Sequence, residues 1–82
     1  MNVTILYFAA VRDLVGKDEE CLTLPEGVTT VGALADHLPT LHEALAERLG
    51  YVRFARNEEL ARLGDAIAEG DVIALIPPVS GG

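Results

Sequence analysis

The chain contains no tryptophan, only two phenylalanines and two tyrosines, and a single methionine. So thin an aromatic content leaves the core to be built from Leu, Val, Ile and Ala. The single cysteine, Cys21, excludes an internal disulfide. Basic side chains are also scarce, six against thirteen acidic ones, for a formal net charge of -7. That is the wrong sign for following a phosphate backbone, so nucleic acid is not an expected partner. A basic protein surface suits it better, because opposite potentials speed encounter and set orientation. No apolar run is long enough to span a membrane, and the start MNVTILYF lacks the charged beginning and small-residue cleavage site of a signal peptide. The expectation is a cytoplasmic protein with no membrane partner.

What is present is a chain of 82 residues, half of them hydrophobic, the size and composition of one small globular domain. Val3 to Ala9 (VTILYFA) is apolar on both alternating faces, which predicts a central strand covered on both sides, with Val3, Ile5 and Tyr7 sharing one face. In AVRDLVGKD, Val11, Leu14 and Val15 have helical spacing and Gly16 supplies a stop, predicting a short helix or turn. Glu20 to Leu24 alternates as a second strand, closed by Pro25 and Gly27. The main helical signal follows: Val31, Leu34, Ala35 and Leu38 form one stripe behind a Thr30 cap. Pro39 is expected to interrupt it. Thr40 and Glu43 then read as a capping box, with Leu41, Leu45 and Leu49 on one face until Gly50.

Tyr51 to Ala55 predicts a third strand, and the polar run after Ala55 reads as loop with one short ordered piece. Glu69-Gly70-Asp71 marks a turn, and Val72 to Ile76 (VIALI) a second central strand. Strands at both chain ends with a helical segment between them predict an α+β layer fold; if the terminal strands are neighbours, a crossover makes them parallel.

Enzyme-like constellations are mostly missing. His37 and His42 fall on different sides of a helix, and no second cysteine or regular acidic loop completes a metal site, so no metal is expected. Cys21, beside Leu22 in a short strand, reads as a small buried thiol rather than a nucleophile. The neighbouring pairs Glu19-Glu20 and Glu58-Glu59 would diverge on a strand and read as solvated surface. Gly16-Lys17 lacks the glycine-rich spacing of a phosphate-binding loop. If a nucleotide is used, another protein must bind it, and no cofactor is expected on this chain.

The end of the sequence, LIPPVSGG, stands out against that body. Two prolines cannot continue a ladder of backbone donors and favour an extended chain, so Pro77 and Pro78 should aim it away from the fold. This divides the chain into a domain at 1–76 and a tail at 77–82. Val79, Ser80, Gly81 and Gly82 reach on the order of 13 Å when extended. Gly81 and Gly82 have no Cβ and pass constrictions that other residues block. The reactive group on offer is then the Gly82 carboxylate. It is a poor electrophile until a partner using ATP makes it an acyl adenylate, from which a sulfur donor can displace AMP.

LYFAAVRDLVG near the start and EGDVIALIPPVSGG at the end resemble the MoaD family, the small sulfur-carrier subunits of molybdopterin synthase, over essentially the whole chain. The resemblance implies a ubiquitin-like β-grasp fold with a flexible diglycine tail. It implies adenylation of Gly82 by a MoeB-type activating enzyme with ATP, conversion to a thiocarboxylate, and insertion of the tail into a MoaE-type large subunit. Sulfur would there pass to cyclic pyranopterin monophosphate. By position the resemblance puts Phe8, Arg12, Leu60 and Ile76 on the partner-facing surface, although Phe8 and Ile76 also suit a core and Arg12 a solvated face. Arg56 stands where the family usually keeps an apolar residue, which bears on where Leu60 falls. Two rivals share the tail chemistry: a thiamine-pathway sulfur carrier, typically shorter and without the double proline, and a ubiquitin-like protein modifier. A plain interaction domain with an inert tail is the third.

Overall fold

The two terminal strands lie side by side and parallel. In the computed structural model, which describes residues 1–78, β1 (Asn2–Tyr7) pairs with β5 (Val72–Ile76), Ile5 opposite Ile73 and Tyr7 opposite Leu75. The chain between them crosses over through α1 (Ala9–Val15), β2 (Glu19–Thr23), α2 (Val31–Leu41), two 3₁₀ turns (Glu43–Leu45 and Leu49–Tyr51), β3 (Arg53–Arg56) and β4 (Glu59–Ala61). The sheet order is β2-β1-β5-β3-β4, mixed, with every pair except β1 and β5 antiparallel. This is the β-grasp arrangement. Both apolar strands are central, but only their inner faces are fully covered; Thr4, Leu6, Val72 and Ala74 on the outer face are half-buried.

Val3, Ile5 and Tyr7 share the inner face with Ile73, Leu75 and Phe54, and against them pack Val31, Leu34 and Leu38 of α2. Each fully buried leucine contributes roughly 2 kcal/mol by removal from water. Thr30 caps α2 through its hydroxyl oxygen, which accepts from the Ala33 N–H at 3.1 Å. Pro39, expected to interrupt the helix, lies inside its last turn. There it removes a single ladder bond, and burial of Leu34 and Leu38 beside it outweighs that loss. Nor is Thr40 a forward cap, because its hydroxyl donates back to the His37 carbonyl at 2.6 Å, and His42 opens the next turn instead. Leu41, Leu45 and Leu49 therefore do not share a face: Leu45 is buried, Leu49 half-buried and Leu41 exposed.

The polar stretch after β3 holds one ordered piece, β4, joined by a two-residue hairpin in which Asn57 and Glu58 both have positive φ (51° and 72°). Tyr51 and Val52 precede β3 rather than belonging to it. Gly70, at φ 84°, makes the turn into β5 and donates its N–H to the Asn2 carbonyl at 2.7 Å.

Candidate functional site

The site is built where β1 and β5 end together. Because the strands are parallel and Tyr7 pairs with Leu75, the next residues, Phe8 and Ile76, emerge side by side just before the prolines. Phe8 continues in extended conformation and caps α1. It is 47% exposed and Ile76 half-buried, so neither is core. With Ala9, Pro77 and Pro78 they line a shallow apolar concavity of about 390 Å³. Leu60 lies further along the same outer sheet face, opposite Ala55, which is in turn opposite Ala74 of β5. It is 68% exposed, and the small side chains between leave a low apolar strip from the tail root to Leu60.

Arg12 is not part of that strip. It projects from α1 with its Nε 3.7 Å from Asp18 and 4.0 Å from Asp13, a solvent-exposed pairing of small energetic weight. Val79, Ser80, Gly81 and Gly82 lie outside the described residues. Arg56 pairs with Glu59 in the β3–β4 register, while its Nε donates to Asp71 Oδ2 at 2.5 Å and the Asn57 amide donates to Oδ1 at 2.9 Å. Burial works to raise the Asp71 carboxyl, but the Ala68 N–H, Asn57 and Arg56 outweigh it and hold the group below its ordinary range. Gly70-Asp71 thus anchors the start of β5, and through it the place where the tail leaves.

Two sequence readings are corrected. Cys21 is exposed, because its register opposite Thr4 puts it on the outer face of the edge strand β2. Glu20 is not solvated surface. Opposite Ile5, it points to the helix side of the sheet, where it accepts from the Tyr7 hydroxyl at 2.5 Å, from His42 Nε2 and from Lys17 Nζ at 3.3 Å. The signal for this cluster was Tyr7 itself, whose hydroxyl needs a partner once its ring is core. Among the described residues no three His, Cys, Asp or Glu side chains gather as metal ligands.

The family profile described as "ThiS family" matches residues 5–82. The chain belongs to the ThiS family. Its similarity to a molybdopterin synthase sulfur carrier subunit of Chlamydomonas reinhardtii is 38% identity over 84 residues, covering all of both chains. In structure this ThiS-family chain is similar to the small archaeal modifier protein SAMP1 of Haloferax volcanii, with a TM-score of 0.87 and 34% identity over the whole of both chains. It is also similar to a chain in the complex of subunits 1 and 2 of the molybdopterin-converting factor from Helicobacter pylori, TM-score 0.71 and 28% identity over the whole of both. Two of these three relatives carry molybdopterin in their names.

Proposed function

We propose that this ThiS-family chain is the sulfur carrier of molybdopterin synthase, a subunit with no catalytic site of its own. The observation that carries the reading is PPVSGG set directly after β5, in a chain similar end to end to a named sulfur carrier subunit. A tail that must enter another protein needs a rigid origin, and β5 provides one, paired on both sides within the sheet.

A MoeB-type activating enzyme attacks the α-phosphorus of ATP with the Gly82 carboxylate, forming an acyl adenylate and releasing pyrophosphate. A sulfur nucleophile then displaces AMP and leaves a thiocarboxylate. The large subunit, of MoaE type, takes the tail into its own active site, and sulfur passes to cyclic pyranopterin monophosphate. Phe8, Ile76 and Leu60 form the apolar ground against which either partner seats, with Arg12 at its margin, and Pro77 to Gly81 thread the cleft. ATP belongs to the activating enzyme, and the setting is the cytoplasm.

A second reading, protein modification through the same activated Gly82, is favoured by the similarity to the archaeal modifier. Intact mass decides between outcomes. After incubation with the cognate activating enzyme, ATP and a sulfur source, the carrier reading expects replacement of one oxygen by sulfur, absent from a chain lacking Gly82. Conjugates to lysine in place of a free thiocarboxylate would establish the modifier instead. Transfer from the thiocarboxylated chain to cyclic pyranopterin monophosphate, rather than into a thiazole, separates the molybdopterin role from the thiamine one.

A further inference from the structure

Pro77 and Pro78 stand between two hollows, not one. Besides the concavity they share with Phe8 and Ile76, they line an open groove of about 550 Å³ between α1 and the Leu49–Tyr51 turn. Leu14, Tyr51 and Val52 contribute apolar surface to it, and Arg48 is the only charged residue lining it among the described residues. Tyr51 is 72% exposed, so its ring contributes little to the core. Any protein that encloses the chain beyond Pro78 meets this groove as well as the outer sheet face.

The charges there run against the whole molecule. Arg12, Lys17 and Arg56 each have a carboxylate within ion-pair distance. Arg48, Arg53 and Arg62 have none among the described residues, and Arg53 stands directly opposite Ile76 in the β3–β5 register. Two unpaired guanidinium groups therefore flank the root of the tail in a chain of net charge -7. The overall charge invites a basic partner, whereas the tail root invites carboxylates. A second copy of this acidic chain is disfavoured by like-charge repulsion.

We propose, on the reading that this chain is the sulfur carrier, that the groove is the second wall of the interface gripping the tail. It takes an apolar side chain of the large synthase subunit, with a carboxylate of that subunit set against Arg48. A tyrosine and an arginine lining one apolar hollow match the composition enriched where binding energy concentrates.

The test measures binding of the purified large subunit from the same organism to the full chain and to R48E, R48K and Y51S, by calorimetry at low and high salt. Both residues are exposed, so thermal melting should stay unchanged in all variants. R48E is expected to weaken binding about tenfold at low salt, with the deficit shrinking as salt rises, and R48K to restore most of it. Y51S should lose about tenfold at both salt concentrations. If the wild-type chain gains sulfur and binds while R48E and Y51S bind equally well, the groove proposal is overturned and the carrier reading stands. Sedimentation showing a dimer that Y51S dissolves would overturn it in favour of self-association. A wild-type chain that neither gains sulfur nor binds the large subunit overturns both.

Discussion

The Tyr7 hydroxyl donates to Glu20 Oε1 at 2.5 Å, closing the edge of the sheet with side chains where the ladder between β1 and β2 ends. His42, arriving from the end of α2, donates to the same carboxylate and meets the Tyr7 ring edge-on, centroids 5.8 Å apart. One carboxylate thus joins both strands to the segment after the helix. Removing it leaves two half-buried donors without an acceptor, whereas removing the hydroxyl deletes one bond of three. Glu20→Ala is therefore expected to cost about 2 to 3 kcal/mol and Tyr7→Phe about 1 kcal/mol. Urea unfolding measures both; an equal loss in the two variants would contradict the hub role of Glu20.

The same group sets the acid limit of stability. Burial works to raise Glu20, but hydrogen bonds from Tyr7, His42 and Lys17 outweigh it and hold its carboxyl below the ordinary 4.5. Asp71 lies below its ordinary 3.8 by similar competition. A carboxyl depressed on folding contributes stability that is full above its unfolded value and is lost as pH falls through the folded one. The urea midpoint should hold from neutrality down to about 4.5 and fall below it, less steeply in Glu20→Gln. On the alkaline side Tyr7, raised by burial and by its bond and proximity to Glu20, stays protonated in the fold. Its contribution is complete below the ordinary 10.0 and fades above. A midpoint independent of pH on the acid side would contradict the account of Glu20 and Asp71.

What the sequence made legible was the part with period and punctuation. The alternation of Val3, Ile5 and Tyr7, the stripe Val31, Leu34 and Leu38, and the Gly70-Asp71 turn each impose one geometry, and the structure has all three. The hairpin at Asn57-Glu58 was not legible, because the usual glycine is missing and a glutamate takes a positive φ. What holds it there is distant in sequence: Asp71 bonds Arg56 and Asn57, and the Val72 N–H donates to Asn57 Oδ1. Pro39 misled in the opposite direction, since a breaker in a helix's last turn has one bond to break. Glu20 and Cys21 were misread together because their faces depend on the register with β1, which a single strand does not reveal. The groove beside Tyr51 was invisible for the same reason, as it exists only once α1 and the tail root are brought together.

The outer strip and the core should separate cleanly in experiment. Leu38 is fully buried against the sheet, and Leu38→Ala is expected to cost about 2 to 5 kcal/mol. Leu60, 68% exposed, should change stability by no more than about 0.5 kcal/mol when replaced by serine. On the proposed function the order reverses in binding: Leu60→Ser weakens the complex with the large subunit at unchanged melting temperature. A Leu60→Ser chain that binds normally would remove that end of the strip from the interface.

The sharpest consequences fall on the last two residues. Deleting Gly82 moves the terminal carboxylate back to Gly81, one residue short of where the activating enzyme would meet it, and removes no described contact, so the melting temperature should stay where it is while thiocarboxylate formation stops. Gly81→Phe keeps the carboxylate and adds bulk where, on the proposed function, the chain passes a constriction. It should fold normally and lose activation or transfer, and the step at which it stalls says which partner has the narrower cleft. No gain of sulfur in the intact mass places the block at the activating enzyme; a normal gain without transfer to the pterin places it in the large subunit. A Gly81→Phe chain that completes both steps at the wild-type rate would show that the glycines are not there to pass a constriction.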